Sequence, residues 1–132
     1  MSRKEPFRTA VVIEDDDDVR DLLHTVLTGA GFRVHTAPAG LAGVQMVRRL
    51  LPDVVTLDVG LPDIDGFEVA RRIRCFSSTL IVMLTARSDP ADEARGLEAG
   101  ADGYLHKPFR PSELRTRIEE GLECRLQPGL NS

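Results

Sequence analysis

Three short runs, 11–13, 54–57 and 80–84, are almost wholly apolar. Strands covered on both faces by helices read this way, so the runs predict central strands of a parallel sheet. Two weaker candidates, 32–36 and 103–106, are interrupted by polar residues, as an exposed sheet edge permits, and predict the outer strands. Between the runs the period changes. Val19, Leu22, Leu23, Val26 and Leu27 fall at i, i+3, i+4, i+7 and i+8, which gathers them on one helical face. Asp16 can cap that helix, Asp17, Asp18 and Asp21 suit its first turns, and Gly29 and Gly31 can end it with positive φ. Leu41, Val44, Val47 and Leu51 form a second stripe that stops before Pro52, and Val69, Ala70 and Ile73 a third after Gly66. A fourth helix is predicted over 90–99 with Gly100 to stop it, and a fifth from Pro111, striped by Leu114, Ile118 and Leu122.

Strand and helix thus alternate five times. That order predicts an α/β doubly wound domain: a five-stranded parallel sheet, flavodoxin-like, with right-handed crossovers and helices on both faces. Placing the most apolar strands inside gives the strand order 2-1-3-4-5, and such sheets bind ligands beyond the carboxyl ends of their strands where the winding reverses. Here that point lies between strands one and three.

The length of 132 residues suits one domain, assigned to 9–126 with an N-terminal extension 1–8 and a tail 127–132. Seventeen Lys and Arg are scattered among 21 Asp and Glu, for a net charge of −4, which argues against a nucleic-acid surface on this segment. Cys75 and Cys124 lack a metal-binding spacing and predict free thiols. The polar start MSRKEPFR has neither a signal-peptide core nor a membrane span, so a cytoplasmic location and no membrane partner are expected.

The chemistry gathers at the predicted strand ends. Strand one runs into Glu14 and Asp15, strand three ends at Asp58, strand four at Thr85, and Lys107 follows strand five. Three carboxylates brought together raise their own charging cost unless a cation sits among them. Mg²⁺ suits such an open oxygen site, with the backbone carbonyl of Gly60 placed as an extra ligand. A metal, a lysine and a hydroxyl in fixed positions can receive a phosphoryl group. Asp58 is then the nucleophile, forming an aspartyl phosphate, with Lys107 opposite and Thr85 Oγ donating to a phosphoryl oxygen.

The segments VVIEDDDDVRDLL, PDVVTLDVGLPDIDGFEV, IVMLTAR and GADGYLHKPFRPSELRTRI together resemble the receiver domain of two-component response regulators over nearly the whole chain. The resemblance implies Asp58 as phosphoacceptor, Glu14 and Asp15 as the acidic pair, Thr85 and Lys107 as the hydroxyl and lysine, and Tyr104 as an aromatic switch. It also implies a cis Lys107–Pro108 bond and a sensor histidine kinase as phosphodonor. Its expected output surface is the fourth helix, fifth strand and fifth helix, roughly 90–125, where a phosphorylated homodimer would form. Arg95, Asp102, Arg110, Glu113, Arg115 and Arg117 are available there for charged contacts. The protein is then a switch rather than a turnover enzyme, catalysing only its own phosphorylation and slow dephosphorylation. Two forms stay open: a stand-alone receiver acting through protein contacts, or the receiver portion of a transcription factor whose DNA-binding domain lies outside this chain.

Blander readings compete at several positions. Asp17 and Asp18 read as a solvated acidic turn ahead of a helix. His24, His35 and His106 share no ligand spacing. Asp63-Ile64-Asp65-Gly66 resembles the D-x-D-G of haloacid-dehalogenase-type phosphatases, but the predicted strand ends at Asp58, five residues too early, so Asp63 and Asp65 are expected to be loop and helix-capping residues.

Overall fold

The computed structural model describes residues 8–86 and 90–126. The chain alternates β1 (Arg8–Ile13), α1 (Asp17–Gly29), β2 (Phe32–Ala37), α2 (Gly40–Leu50), β3 (Val54–Asp58), α3 (Gly66–Arg74), β4 (Leu80–Thr85), α4 (Pro90–Ala99), β5 (Gly103–His106) and α5 (Pro111–Leu126). All neighbouring strands are parallel, in the order β2-β1-β3-β4-β5. The alternation and strand order are those the hydrophobic pattern predicts.

Because successive strand side chains point to opposite faces, the sheet divides its apolar residues between two cores. Val11, Ile13, Val55, Leu57, Ile81 and Met83 face α2, α3 and α4, where Val44, Val47, Phe67, Val69, Ala70 and Ile73 cover them. Ala10, Val12, Val54, Val82 and Leu84 face α1 and α5, covered by Leu23, Leu27, Leu114, Ile118 and Leu122. Each fully buried Leu, Ile, Val or Phe side chain contributes roughly 1.5–3 kcal/mol relative to exposure. The three central strands are apolar on both faces because both faces are covered.

Helix boundaries follow local chemistry. Asp16 N-caps α1, its Oδ1 accepting from the N–H of Asp18 at 2.9 Å and of Val19 at 3.1 Å, and Asp65 N-caps α3 by accepting from Glu68 N–H at 2.8 Å. At α5 the Glu113 carboxylate reaches back to Arg110 N–H at 2.8 Å, half of a capping box. Gly31 and Gly100 take positive φ after α1 and α4, while Gly29 remains inside α1 and Ala30 is the cap residue. The α2 end differs from expectation. Leu51, read as part of the apolar stripe, is the C-cap residue with φ 48° and is exposed. Pro52 disfavours a further helical residue before it, so the chain turns through a left-handed leucine with no glycine in place.

Candidate functional site

The parallel winding delivers Glu14, Asp15, Asp58, Thr85 and Lys107 to the carboxyl end of the sheet. Asp58 is the last residue of β3, and Glu14 and Asp15 follow β1 directly. Among the described residues, one ligand oxygen from each of Glu14, Asp15 and Asp58 lies within 4.8 Å of the others. Glu14 is 1% exposed and Asp58 7%, whereas Asp15 is open to solvent. Lys107, beyond β5, bridges the two buried acids: its Nζ donates to Glu14 Oε1 at 2.9 Å and to Asp58 Oδ1 at 3.1 Å. The Lys107–Pro108 bond is cis.

The electrostatics of this group are unbalanced. Burial pushes the Glu14 carboxyl above the usual range, the bond from Lys107 offsets only part of this, and the nearby Asp58 charge adds to it. Burial likewise raises Asp58 despite the Lys107 charge. Burial alone would depress the Lys107 ammonium, but the bonds and charges of Glu14 and Asp58 outweigh it and hold the lysine above its ordinary value. One ammonium serves two buried carboxylates with Asp15 beside them, so it gains from both neighbours while neither buried acid is fully compensated.

Such a donor set fits a small hard cation. All the side-chain donors are carboxylate oxygens, and ligands at about 2.1 Å around an octahedral Mg²⁺ stand roughly 3–4 Å apart, so oxygens spaced within 4.8 Å need only a small closure. Glu14, Asp15 and Asp58 are the side chains that would hold it.

The backbone around these acids is fixed from several sides. Arg20 on α1 donates from Nη1 to the Glu14 carbonyl at 3.0 Å and pairs with Asp17. Gly66, at the start of α3, has no room for a side chain, since a Cβ there would stand 2.6 Å from the Asp58 carbonyl oxygen and 2.8 Å from Val59 Cα. Gly60, two residues beyond Asp58, turns its backbone N–H to the side where it favours the charged Asp58 carboxylate. Ala86, exposed, follows Thr85, which ends β4 and is buried.

Tyr104 lies in β5 with its side chain buried. Its ring meets His106 edge-on at 5.6 Å between centroids and lies beside Gly96 of α4, where an added Cβ would be 3.5 Å from the ring. Much of the charge expected on the surface around β5 is engaged within the chain. Arg95 stacks over the Phe67 ring at 4.3 Å, Arg117 donates to the Tyr104 carbonyl at 3.1 Å, and Asp102 pairs with Arg74 and Arg125.

Asp63 stands away from the acidic cluster. Its carboxylate accepts from the first two N–H groups of α2, Gly40 and Leu41, each at 2.8 Å. This agrees with a capping role and not with a D-x-D-G nucleophile. The capped helix is 22–23 residues away in sequence, a pairing that no local pattern reveals.

Comparison with known proteins agrees with this geometry. The model of the response regulator receiver domain matches residues 10–119. The chain is 49% identical over 112 residues to the transcriptional regulatory protein AfsQ1 of Streptomyces coelicolor, covering 85% of this chain and 50% of that protein. It is 43% identical over 112 residues to the DNA-binding response regulator MtrA of Mycobacterium tuberculosis, covering 85% of this chain and 49% of that protein. The chain therefore spans about half the length of these curated relatives. The BeF3-activated N-terminal receiver domain of Klebsiella pneumoniae RstA superposes with a TM-score of 0.82 at 32% identity, over 86% of this chain and 97% of that one. A five-stranded sheet in this order, with an acidic cluster at its carboxyl end and a receiver match across most of its length, has one family assignment: the chain belongs to the response regulator receiver domain family.

Proposed function

We propose that this receiver, spanning 9–126, accepts a phosphoryl group from a sensor histidine kinase onto Asp58 and passes the change to its α4-β5-α5 surface. The observation that carries the reading is the clustering of Glu14, Asp15 and Asp58, two of them paired with Lys107. In the transfer, an Asp58 carboxylate oxygen forms a bond to phosphorus as the bond from phosphorus to the donor imidazole nitrogen breaks, and the imidazole leaves with the electron pair. Glu14, Asp15, Asp58 and the Gly60 carbonyl would hold Mg²⁺, which supplies positive charge to the phosphoryl oxygens. Lys107 neutralises a further oxygen, and the Thr85 hydroxyl donates to the third. Attraction of Thr85 toward the new dianion, with Tyr104 held inward behind it, is the proposed link to the output face. A chain that performs this step catalyses its own modification and slow dephosphorylation, with no conventional turnover.

Incubation with acetyl phosphate and Mg²⁺ followed by intact-mass measurement tests the reading. The parent protein gains the mass of one phosphoryl group and Asp58→Asn gains none; labelling of both proteins alike would reject Asp58 as acceptor.

The names of the relatives support a transcriptional output through a DNA-binding segment outside these residues, with the receiver itself making no nucleic-acid contact and working in the cytoplasm. No described helix is long and apolar enough to cross a membrane. Phosphorylation is proposed to favour a homodimer through α4-β5-α5. Sedimentation with and without beryllium fluoride checks this, with a doubled mass expected and an unchanged mass counting against it.

A further inference from the structure

We infer that Asp63 is a positioning residue for the metal and phosphoacceptor site, because its carboxylate ties the loop that carries Gly60 to the amino end of α2. This inference rests on the reading of Glu14, Asp15, Asp58 and the Gly60 carbonyl as the metal site.

The loop between β3 and α3, residues 59–65, is held firmly at both ends. Val59 N–H donates to the Leu84 carbonyl at 3.1 Å, and Gly66 N–H returns to the Val59 carbonyl at 2.9 Å. Asp65 caps α3. Between those anchors lies Gly60, which has no side chain to fix it and around whose Cβ position no atom lies within 4 Å. Its backbone nevertheless has a set task, since its carbonyl is the proposed ligand. A glycine in open space adopts many backbone conformations at similar cost, so its orientation has to be imposed by the remainder of the loop.

Asp63 can impose it. The Asp63 carboxylate spans to α2, where Oδ1 accepts from Gly40 N–H and Oδ2 from Leu41 N–H, both at 2.8 Å. Residue 39, the N-cap of α2, is alanine and makes no side-chain cap bond. The helix therefore takes this cap from the loop. Close approach at this junction is built in, since a Cβ on Gly40 would stand 2.8 Å from Ile64 Cγ1 and from Val69 Cγ2, and 3.2 Å from Asp63 Oδ1. The paired bonds hold the Asp63 carboxyl below the usual carboxylate range, led by the Leu41 N–H. Asp63 thus serves two elements: it satisfies α2, and it fixes the loop three residues beyond Gly60.

A helix cap and a loop tether are separable by experiment. In Asp63→Ala both are lost. Adding Ala39→Ser to that variant returns a cap to α2 from its own N-cap position, whose backbone is already extended (φ −147°, ψ 160°), without restoring the tether. Mg²⁺ affinity is measured by calorimetric titration of the metal-free proteins at a temperature where all are folded, beside thermal melting. Loss of an outer-shell support costs roughly tenfold in metal affinity, so Asp63→Ala is expected to bind Mg²⁺ roughly tenfold more weakly. The double variant is expected to keep that weakened affinity whether or not its melting temperature recovers. Parent-like affinity in Asp63→Ala, or affinity that returns with Ala39→Ser, would overturn the inference and leave Asp63 a helix cap alone. Absence of saturable Mg²⁺ binding in the parent would instead remove the metal reading on which it rests.

Discussion

The two ends of the sheet handle charge in opposite ways, one with its acids buried and one with its acid open to solvent. At the carboxyl end Glu14 and Asp58 share the Lys107 ammonium with Asp15 beside them, and burial keeps Glu14 and Asp58 above their ordinary pKa despite it. At the amino end a single carboxylate has more partners than it needs. Asp102 accepts from Arg74 at 2.6 Å, from Arg125 at 3.0 Å and from the Ile81 N–H at 2.9 Å. Arg74 also donates to the carbonyls of Gly100 at 2.8 Å and Ser77 at 3.1 Å, and Arg125 to that of Ser78. This knot joins the end of α3, the start of β4, the turn before β5 and the last turn of α5. Charge that is fully satisfied by its own chain stabilises the fold, whereas charge left in deficit holds a place for a ligand.

Breaking the satisfied end produces the largest expected loss. Asp102→Ala removes two exposed ion pairs and the partner of one part-buried backbone N–H, and should lower stability by about 1–2 kcal/mol, equally with and without Mg²⁺, as read by urea unfolding. A loss that Mg²⁺ repairs would erase the distinction between the two ends. A smaller effect sharpens the comparison from the side of Asp63, which is satisfied like Asp102 but lies on the loop that follows Asp58. Its folded pKa is depressed, so its stabilisation is present above the unfolded carboxyl value of about 3.9 and is lost as pH falls through the folded value. Because the group is exposed, that term should stay under about 1 kcal/mol. Asp63→Asn should flatten the acid limb of stability against pH by that amount, and an unaltered limb would show that the carboxylate charge is not needed at α2.

The deficient end was the more legible of the two in the sequence. Apolar runs that end abruptly at Asp58 and in Glu14 and Asp15 expose a carboxylate where burial is costly, and the parallel winding leaves such residues on one edge. The strand order followed from the relative apolarity of the runs. What escaped was set by contacts distant in sequence. The Asp102–Arg74 and Asp102–Arg125 pairs join residues 28 and 23 apart, so the sequence alone presents Asp102 as available for an outside partner. Arg20 supports the Glu14 carbonyl through a bond to the main chain, which carries no side-chain signature. The left-handed Leu51 was hidden by its own hydrophobicity, which matched the stripe before it while Pro52 decided its conformation.

The contrast depends most directly on the claim that the carboxyl-end cluster carries uncompensated charge that a divalent cation relieves. Thermal melting of the parent and Asp58→Asn proteins across a Mg²⁺ titration measures it. Without metal, Asp58→Asn is expected to melt above the parent, by the few degrees that about 1 kcal/mol represents in a domain of this size. With added Mg²⁺ the parent should rise to a plateau as binding to the folded state shifts the equilibrium, while Asp58→Asn rises less. A parent indifferent to Mg²⁺, or an Asp58→Asn protein that starts out less stable than the parent, would contradict it.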